Sequence, residues 1–402
     1  MEIEVKGKKN KRGILISILV ILGAVLIILG YEAIYPRVYF FLEGVTVQKK
    51  GSELNITDSH YAALNEIEQE LENYELYLTG ESHGTQGNYL LWEYFTRFFV
   101  EKADVKYILL ESGYAVGELL NNYLETGDED YLYNIMKAFK GSPSYNRELQ
   151  RYYKNIYEYN ESLAEAQKIQ FIGIDVEHQY SLAIQYLQEL VGMDVVPGEL
   201  QDVINEIKHW PWYARPGKDT LQEWSASCKT YERLYKDLLG DDYFGFEFVI
   251  NNLMASTDNQ PEREAAIISN FKKVYEHLPK GKYFGQWGSY HTSLEQHRKD
   301  MSEPFAAVIN KNYEPIKDKV LTIWYRYENC RIMESNGRAA ALDTVYFKKQ
   351  NEHQDSPLIV NTDKSFLLKK MPGNGRTYAR SINDLYHYMI VIQNSPATTW
   401  LE

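Results

Sequence analysis

Apolar residues are unevenly placed along this chain. The longest apolar run, Gly13–Gly30, has no charged residue and is mostly Ile, Leu and Val. Eighteen residues at a helical rise of ~1.5 Å span ~27 Å, close to a hydrocarbon core, so the run predicts one transmembrane helix. Further on, short buried-type runs predict strands at Glu75–Thr79, Tyr107–Leu110, Gln170–Ile174, Lys282–Trp287, Val320–Tyr325 and Tyr388–Ile392. Between them apolar residues recur at helical spacing. Asp58 or Ser59 caps a helix carrying Ala63, Leu64, Ile67 and Leu71, and helices follow at Tyr89–Val100, Val116–Leu124 and Arg147–Ala166. From Leu182 to about Leu278 the pattern is mostly helical, broken at His209-Trp210-Pro211-Trp212, and Ala340–Lys364 reads as polar loop. Strands alternating with helices predict an α/β fold: a mostly parallel central sheet flanked by helices, with a helical insertion. The expected organisation is a tail (1–12), a membrane anchor (13–30), a juxtamembrane link (31–57), an α/β domain (58–335) and a C-terminal region completing it (336–402).

Charge sets the expected orientation. The formal net charge is −13, yet residues 1–12 hold +3, through Lys6, Lys8, Lys9, Lys11 and Arg12 against two Glu, which leaves −16 on the rest. Positive residues before an apolar span keep the N-terminus in the cytoplasm, so the body is expected outside the cell. An apolar run this long, without a clear small-residue cleavage site, reads as an uncleaved signal anchor. An acidic body excludes nucleic acid as a partner. The two cysteines, Cys228 and Cys330, match no zinc spacing and read either as a disulfide or as two separate buried thiols.

In parallel sheets, sites form where the carboxyl ends of the strands open onto a common crevice. Four strands in succession end in chemistry-bearing residues: Gly80-Glu81-Ser82-His83-Gly84-Thr85, Glu111-Ser112-Gly113, Asp175-Val176-Glu177-His178 and Gly288-Ser289-Tyr290-His291. A histidine titrates near neutrality and can take a proton from water, and a carboxylate beside it can orient the ring. Glu81 and His83 are two apart, so on extended backbone both can point one way; a salt-bridged turn is the plainer reading of the same pair. Gly84-Thr85 leads into a helix whose N-terminus is expected to help hold an oxyanion.

The first motif, with Leu109-Leu110-Glu111-Ser112, Phe171-Ile172-Gly173-Ile174-Asp175 and Arg263-Glu264-Ala265-Ala266-Ile267-Ile268-Ser269-Asn270 in order, resembles the erythromycin esterase family. That family carries Gly-Glu-x-x-His-Gly-Thr. The similarity runs from about Tyr74 to about Ser293 and extends more distantly to the ChaN-like and Tiki-like group. It implies an α/β fold with a deep cleft in which His83 activates water, with Glu81, Glu111 and His291 around it. It also implies that Arg263 and Asn270, seven apart, share a helix face. The chain departs from the pattern in three places. One residue fewer separates Glu81 from His83, Gly288 stands where a first late histidine is usual, and Trp92 stands where a basic residue is common.

The catalytic set expected is therefore His83, Glu81, Glu111, His291, Asp175 and Arg263. His178, Trp212 and Asn270 are the substrate-binding candidates; His178 also fits a solvent-facing loop, and Trp212 also fits packing under a lid. Glu81, His83, Glu111, Asp175 and His291 are of the ligand types that suit a divalent metal, but no local metal motif supports one, and no cofactor is expected. The expected activity is a membrane-anchored, extracytoplasmic hydrolase taking a small-molecule ester, lactone or related acyl substrate. The alternatives are an inactive surface protein that keeps the cleft to capture a ligand or haem, and a Tiki-like metal-dependent peptidase.

Overall fold

The computed structural model describes residues 47, 49–193, 195–255, 257, 259–344, 356–363 and 381–401. The Gly13–Gly30 run lies outside the described residues. Among the described residues no helix is long and apolar enough to cross a membrane.

Ten strands are described: β1 (Ser52–Glu53), β2 (Leu76–Glu81), β3 (Val105–Gly113), β4 (Gln170–Asp175), β5 (Lys282–Gly288), β6 (Val320–Glu328), β7 (Cys330–Met333), β8 (Ala339–Leu342), β9 (Leu358–Asn361) and β10 (Tyr388–Gln393). Eight of them form one sheet in the order β1-β9-β10-β6-β2-β5-β3-β4, and β7 and β8 form a separate hairpin. From β10 across to β4 every pairing is parallel; β9 and β1 add an antiparallel edge. The expected α/β architecture with a mostly parallel central sheet is what the chain adopts.

Both faces of the sheet are covered, which is why the strands read as continuous apolar runs. The helix Gln86–Ala103 lays Phe99 on Tyr77 and Phe284, at ring-centroid distances of 4.5 and 5.0 Å. On the opposite face, the helix Gln260–His277 sets Phe271 5.5 Å from Tyr283. Tyr283 and Phe284 are adjacent, so their side chains leave the strand on opposite sides and the two helices sandwich it. The insertion consists of helices Tyr180–Leu190, Gln201–His209, Lys218–Thr230, Glu232–Leu239 and Tyr243–Ala255, and the first break falls after His209 as the sequence indicates.

Two readings of local structure change. The helix expected after Asp58 is instead three short turns, Ala62–Leu64, Asn65–Glu68 and Leu71–Asn73. Asp58 does cap, accepting from the Ala62 N–H at 2.9 Å, but Tyr61 takes a left-handed φ of 53° and breaks the helical register. The stretch read as loop after Ala340 contains β9, whose four residues are too few to show a period. Cys228 and Cys330 are free and buried, so the separate-thiol reading is the one observed.

Candidate active site

The carboxyl ends of β2, β5, β3 and β4 lie side by side, in register at Glu81↔Gly288 and Gly113↔Asp175. Between Leu110 and Gly113, β3 carries one residue more than its partner β4. Such a bulge re-aims a side chain, and Glu111 sits on this one. The bulged backbone presses close to β4: a Cβ on Gly173 would lie 1.9 Å from the Gly113 carbonyl oxygen, so only glycine fits there.

Glu81 ends β2 and is buried, with one carboxylate oxygen 2.6 Å from Nδ1 of His83 and the other accepting from the Gln286 amide at 3.1 Å. The His83 side chain is 51% exposed, so its far side meets the cleft. Nε2 of His83 lies 3.9 Å from Oε2 of Glu111. That oxygen accepts the Gly288 N–H at 2.8 Å, while Oε1 of Glu111 accepts from Arg263 at 2.9 Å and lies 3.4 Å from Nε2 of His291. Nδ1 of His291 lies 2.6 Å from Glu264. Each imidazole thus has its own carboxylate at Nδ1, and both turn Nε2 toward Glu111.

The electrostatics follow from this arrangement. Desolvation pulls the His83 imidazole down, but Glu81 and Glu111 outweigh it and push it up to about 9. Burial opposes the charge on His291 as well, and Glu111 with Glu264 raises it to about 10. For Glu111, burial favours the neutral acid, yet His291, His83 and Arg263 hold it well below the usual carboxylate range. Burial likewise opposes ionised Asp175, and His178 and Arg263 keep it lowered.

A cleft of about 210 Å³ opens over this floor. Glu81, His83, Glu111 and Gln286 line it, with Tyr89, Trp92, Phe139 and Tyr153 among its walls. The other members of the expected catalytic set sit behind these. Asp175 is fully buried and accepts from Arg263 Nε at 3.0 and 3.1 Å and from its Nη2. Arg263 and His291 side chains are 14% and 5% exposed. Asp175, Arg263 and His291 therefore fix Glu111 from behind rather than face a substrate.

The substrate-binding candidates are not brought to the cleft lining. Asn270 does share a helix face with Arg263, but its amide donates to the Ile174 carbonyl at 3.1 Å and to Asn252 at 2.9 Å, tying down the end of β4. His178 lies 3.7 Å from Asp175. Trp212 is 58% exposed, with the Lys137 ammonium 5.8 Å from its ring centroid. Sequence reasoning passed over Glu264 and Gln286. Glu264 was in view beside Arg263, but a helical Glu gives no sign of being buried.

The helix N-terminus after Thr85 is not the oxyanion holder expected. Its N–H groups are already bonded to the chain's last residues: Gln86 N–H to the Pro396 carbonyl at 3.0 Å and Gly87 N–H to Ser395 Oγ at 2.8 Å. Gly84 has a φ of 95°, and its carbonyl accepts from Met333 N–H at 2.8 Å and Thr398 N–H at 3.0 Å. The motif loop is clamped by β7 and by Ser395–Thr398. Among the described residues no group of three or more His, Cys, Asp or Glu is placed to hold a metal ion.

No family model matches the chain. Erythromycin esterase type II of Escherichia coli is 29% identical over 126 residues, which is 31% of this chain. The match spans 29% of that protein's own length. Solved structures extend the likeness over nearly the whole fold. An erythromycin esterase, solved as a histidine-to-asparagine variant in its open conformation, has a TM-score of 0.60 at 12% identity, covering 87% of this chain and 98% of that one. The chain is similar to erythromycin esterases in sequence over those 126 residues and in fold over most of its length. A Bacillus cereus protein (TM-score 0.65, 14% identity, 89% and 98% covered) and a succinoglycan biosynthesis protein (0.66, 13%, 90% and 98%) share the erythromycin esterase-like fold. At these identities the structures speak for the fold.

Proposed function

We propose that this protein is a hydrolase of the erythromycin esterase-like type, in which His83 activates water for attack on an ester, lactone or related acyl bond. The observation that carries the reading is His83 itself. Its ring is half exposed at the floor of a cleft, while Nδ1 is held 2.6 Å from Glu81. An imidazole fixed at one nitrogen and open at the other is the arrangement a proton acceptor needs. Glu111 faces Nε2 and stabilises the imidazolium once the proton arrives. The proton then passes to the leaving alkoxide. The aromatic walls suit an apolar acyl or alcohol group.

The reading also places the body outside the cell on a single-pass anchor at Gly13–Gly30, supported by the basic residues before that run. Two experiments test it. The purified protein is assayed on a panel of esters and lactones beside His83→Ala, and turnover by the wild type alone supports the assignment. Binding of panel compounds without turnover would favour a surface binding protein. Protease added to intact cells should digest the body and leave a short N-terminal fragment; full protection would sink the topology.

A further inference from the structure

Behind the cleft, one buried carboxylate has no part in the mechanism above. Glu264 follows Arg263 on the helix Gln260–His277, and its side chain is 1% exposed. One oxygen lies 2.6 Å from Nδ1 of His291, and the other accepts the Phe305 N–H. We propose that Glu264 is a positioning residue of this site: it holds His291 with Nε2 toward Glu111, and through Glu111 it sets the charge that His83 meets.

The geometry leaves His291 little alternative. Its backbone N–H is bonded to the Gly288 carbonyl at 3.0 Å and its carbonyl to the Ala306 N–H at 2.9 Å, so the main chain is fixed on both sides. Trp287 and Tyr290 lie edge-on to the ring at 5.9 and 5.2 Å. The ring can still turn over about its bond to the chain, and a carboxylate oxygen 2.6 Å from Nδ1 opposes that by drawing the charged nitrogen to its side. The charged and titratable groups around His291 are Glu111 from β3, Glu264 and Arg263 from the helix, His83 from the motif loop, and Tyr290 from its own loop. His291 carrying a proton supplies one of the cations around Glu111, with Arg263 and His83. Without Glu264 the burial cost of that cation would be met by Glu111 alone, His291 would hold its proton less tightly, and the positive charge beside Glu111 would weaken.

The first measurement uses the full wild-type chain with isotope-labelled histidine. The nitrogen shifts of His291 should report a protonated Nδ1 throughout neutral pH. An Nδ1 without its proton overturns the inference, whatever any variant does. The second compares Glu264→Gln: the His291 titration midpoint should fall by at least about one pH unit, and the His83 titration should move with it. Unchanged titrations overturn the inference. Neither readout needs turnover, so a failed ester assay and a failed inference are separate results. The kinetic arm alone rests on the hydrolase reading: Glu264→Gln should lower kcat ~10–100-fold with KM nearly unchanged. Glu264→Asp should restore part of it.

Discussion

The two histidines of this site are built alike and placed differently. In both, Nδ1 is 2.6 Å from a carboxylate and Nε2 is turned toward Glu111. His83, half exposed, lines the cleft, whereas His291 is 5% exposed and closed in by Trp287, Tyr290 and Glu264. On the proposed reading, one chemical unit does two jobs according to whether water reaches it. At the cleft it can exchange a proton with a reacting molecule; buried, it is a fixed charge.

The most forceful way to break this comparison is to remove each ring in turn. If His83 is the proton acceptor, His83→Ala should lower turnover by ~10²–10⁴-fold while barely moving the melting temperature. Glu81→Gln should show part of that loss, because it keeps the shape but removes the charge beside Nδ1. Rate and melting temperature must be read together: variants that melt several degrees lower yet keep the full rate would make Glu81 and His83 a structural turn.

His291→Ala should do the opposite. It leaves Glu264 and Glu111 buried with one cation fewer between them, which costs ~3–5 kcal/mol of stability when one member of such a cluster is lost. Urea unfolding should show it. A His291→Ala protein as stable as the wild type would mean that the buried pair is not ionised.

The same contrast explains what the sequence could reveal. Glu81 and His83 are neighbours on one strand end, so their pairing is legible from a spacing of two. The strands themselves were legible because both faces of the sheet are covered and their runs are continuously apolar. His291 and Glu264 come from different elements, and only the fold brings β5's exit loop beside that helix. Arg263 and Asn270 were correctly placed on one face, but a face does not say whether it meets solvent. Asn270 turned out to bond the Ile174 carbonyl, and Arg263 Asp175. The role of Ser395–Thr398 had no local signal at all, since its bonds reach back across most of the chain.

Titration sharpens the comparison further. With His83 raised to about 9, its ring is protonated at neutral pH, and a base must first lose that proton. The rate should therefore rise with pH and level off near 9; two pH units below the midpoint, roughly one molecule in a hundred is competent. A rate that falls across this range would make His83 a proton donor instead. The stability slope has the other sign. His291 is raised from 6.5 to about 10 on folding, so its stabilisation is complete below pH 6.5 and is lost as pH rises through 10. Melting temperature should drop across that window, and the drop should be shallower in a His291→Asn protein.

The smallest effect expected is at the clamp, and it bears on only one of the two histidines. Ser395 Oγ accepts the Gly87 N–H at 2.8 Å and lies 2.9 Å from the Thr85 hydroxyl, both just after His83 in the chain. Ser395→Ala leaves the buried Gly87 N–H without that partner, at a cost of ~1–2 kcal/mol. The loss falls on the loop that carries His83, while the loop of His291 is held by Gly288 and Ala306 and does not touch Ser395. The variant should thus show a modestly lower melting temperature, a several-fold lower rate and a broadened His83 resonance, with the His291 resonance unmoved. If both resonances shifted together, the two dyads would be one rigid unit, and the division between a working ring and a fixed charge would fail.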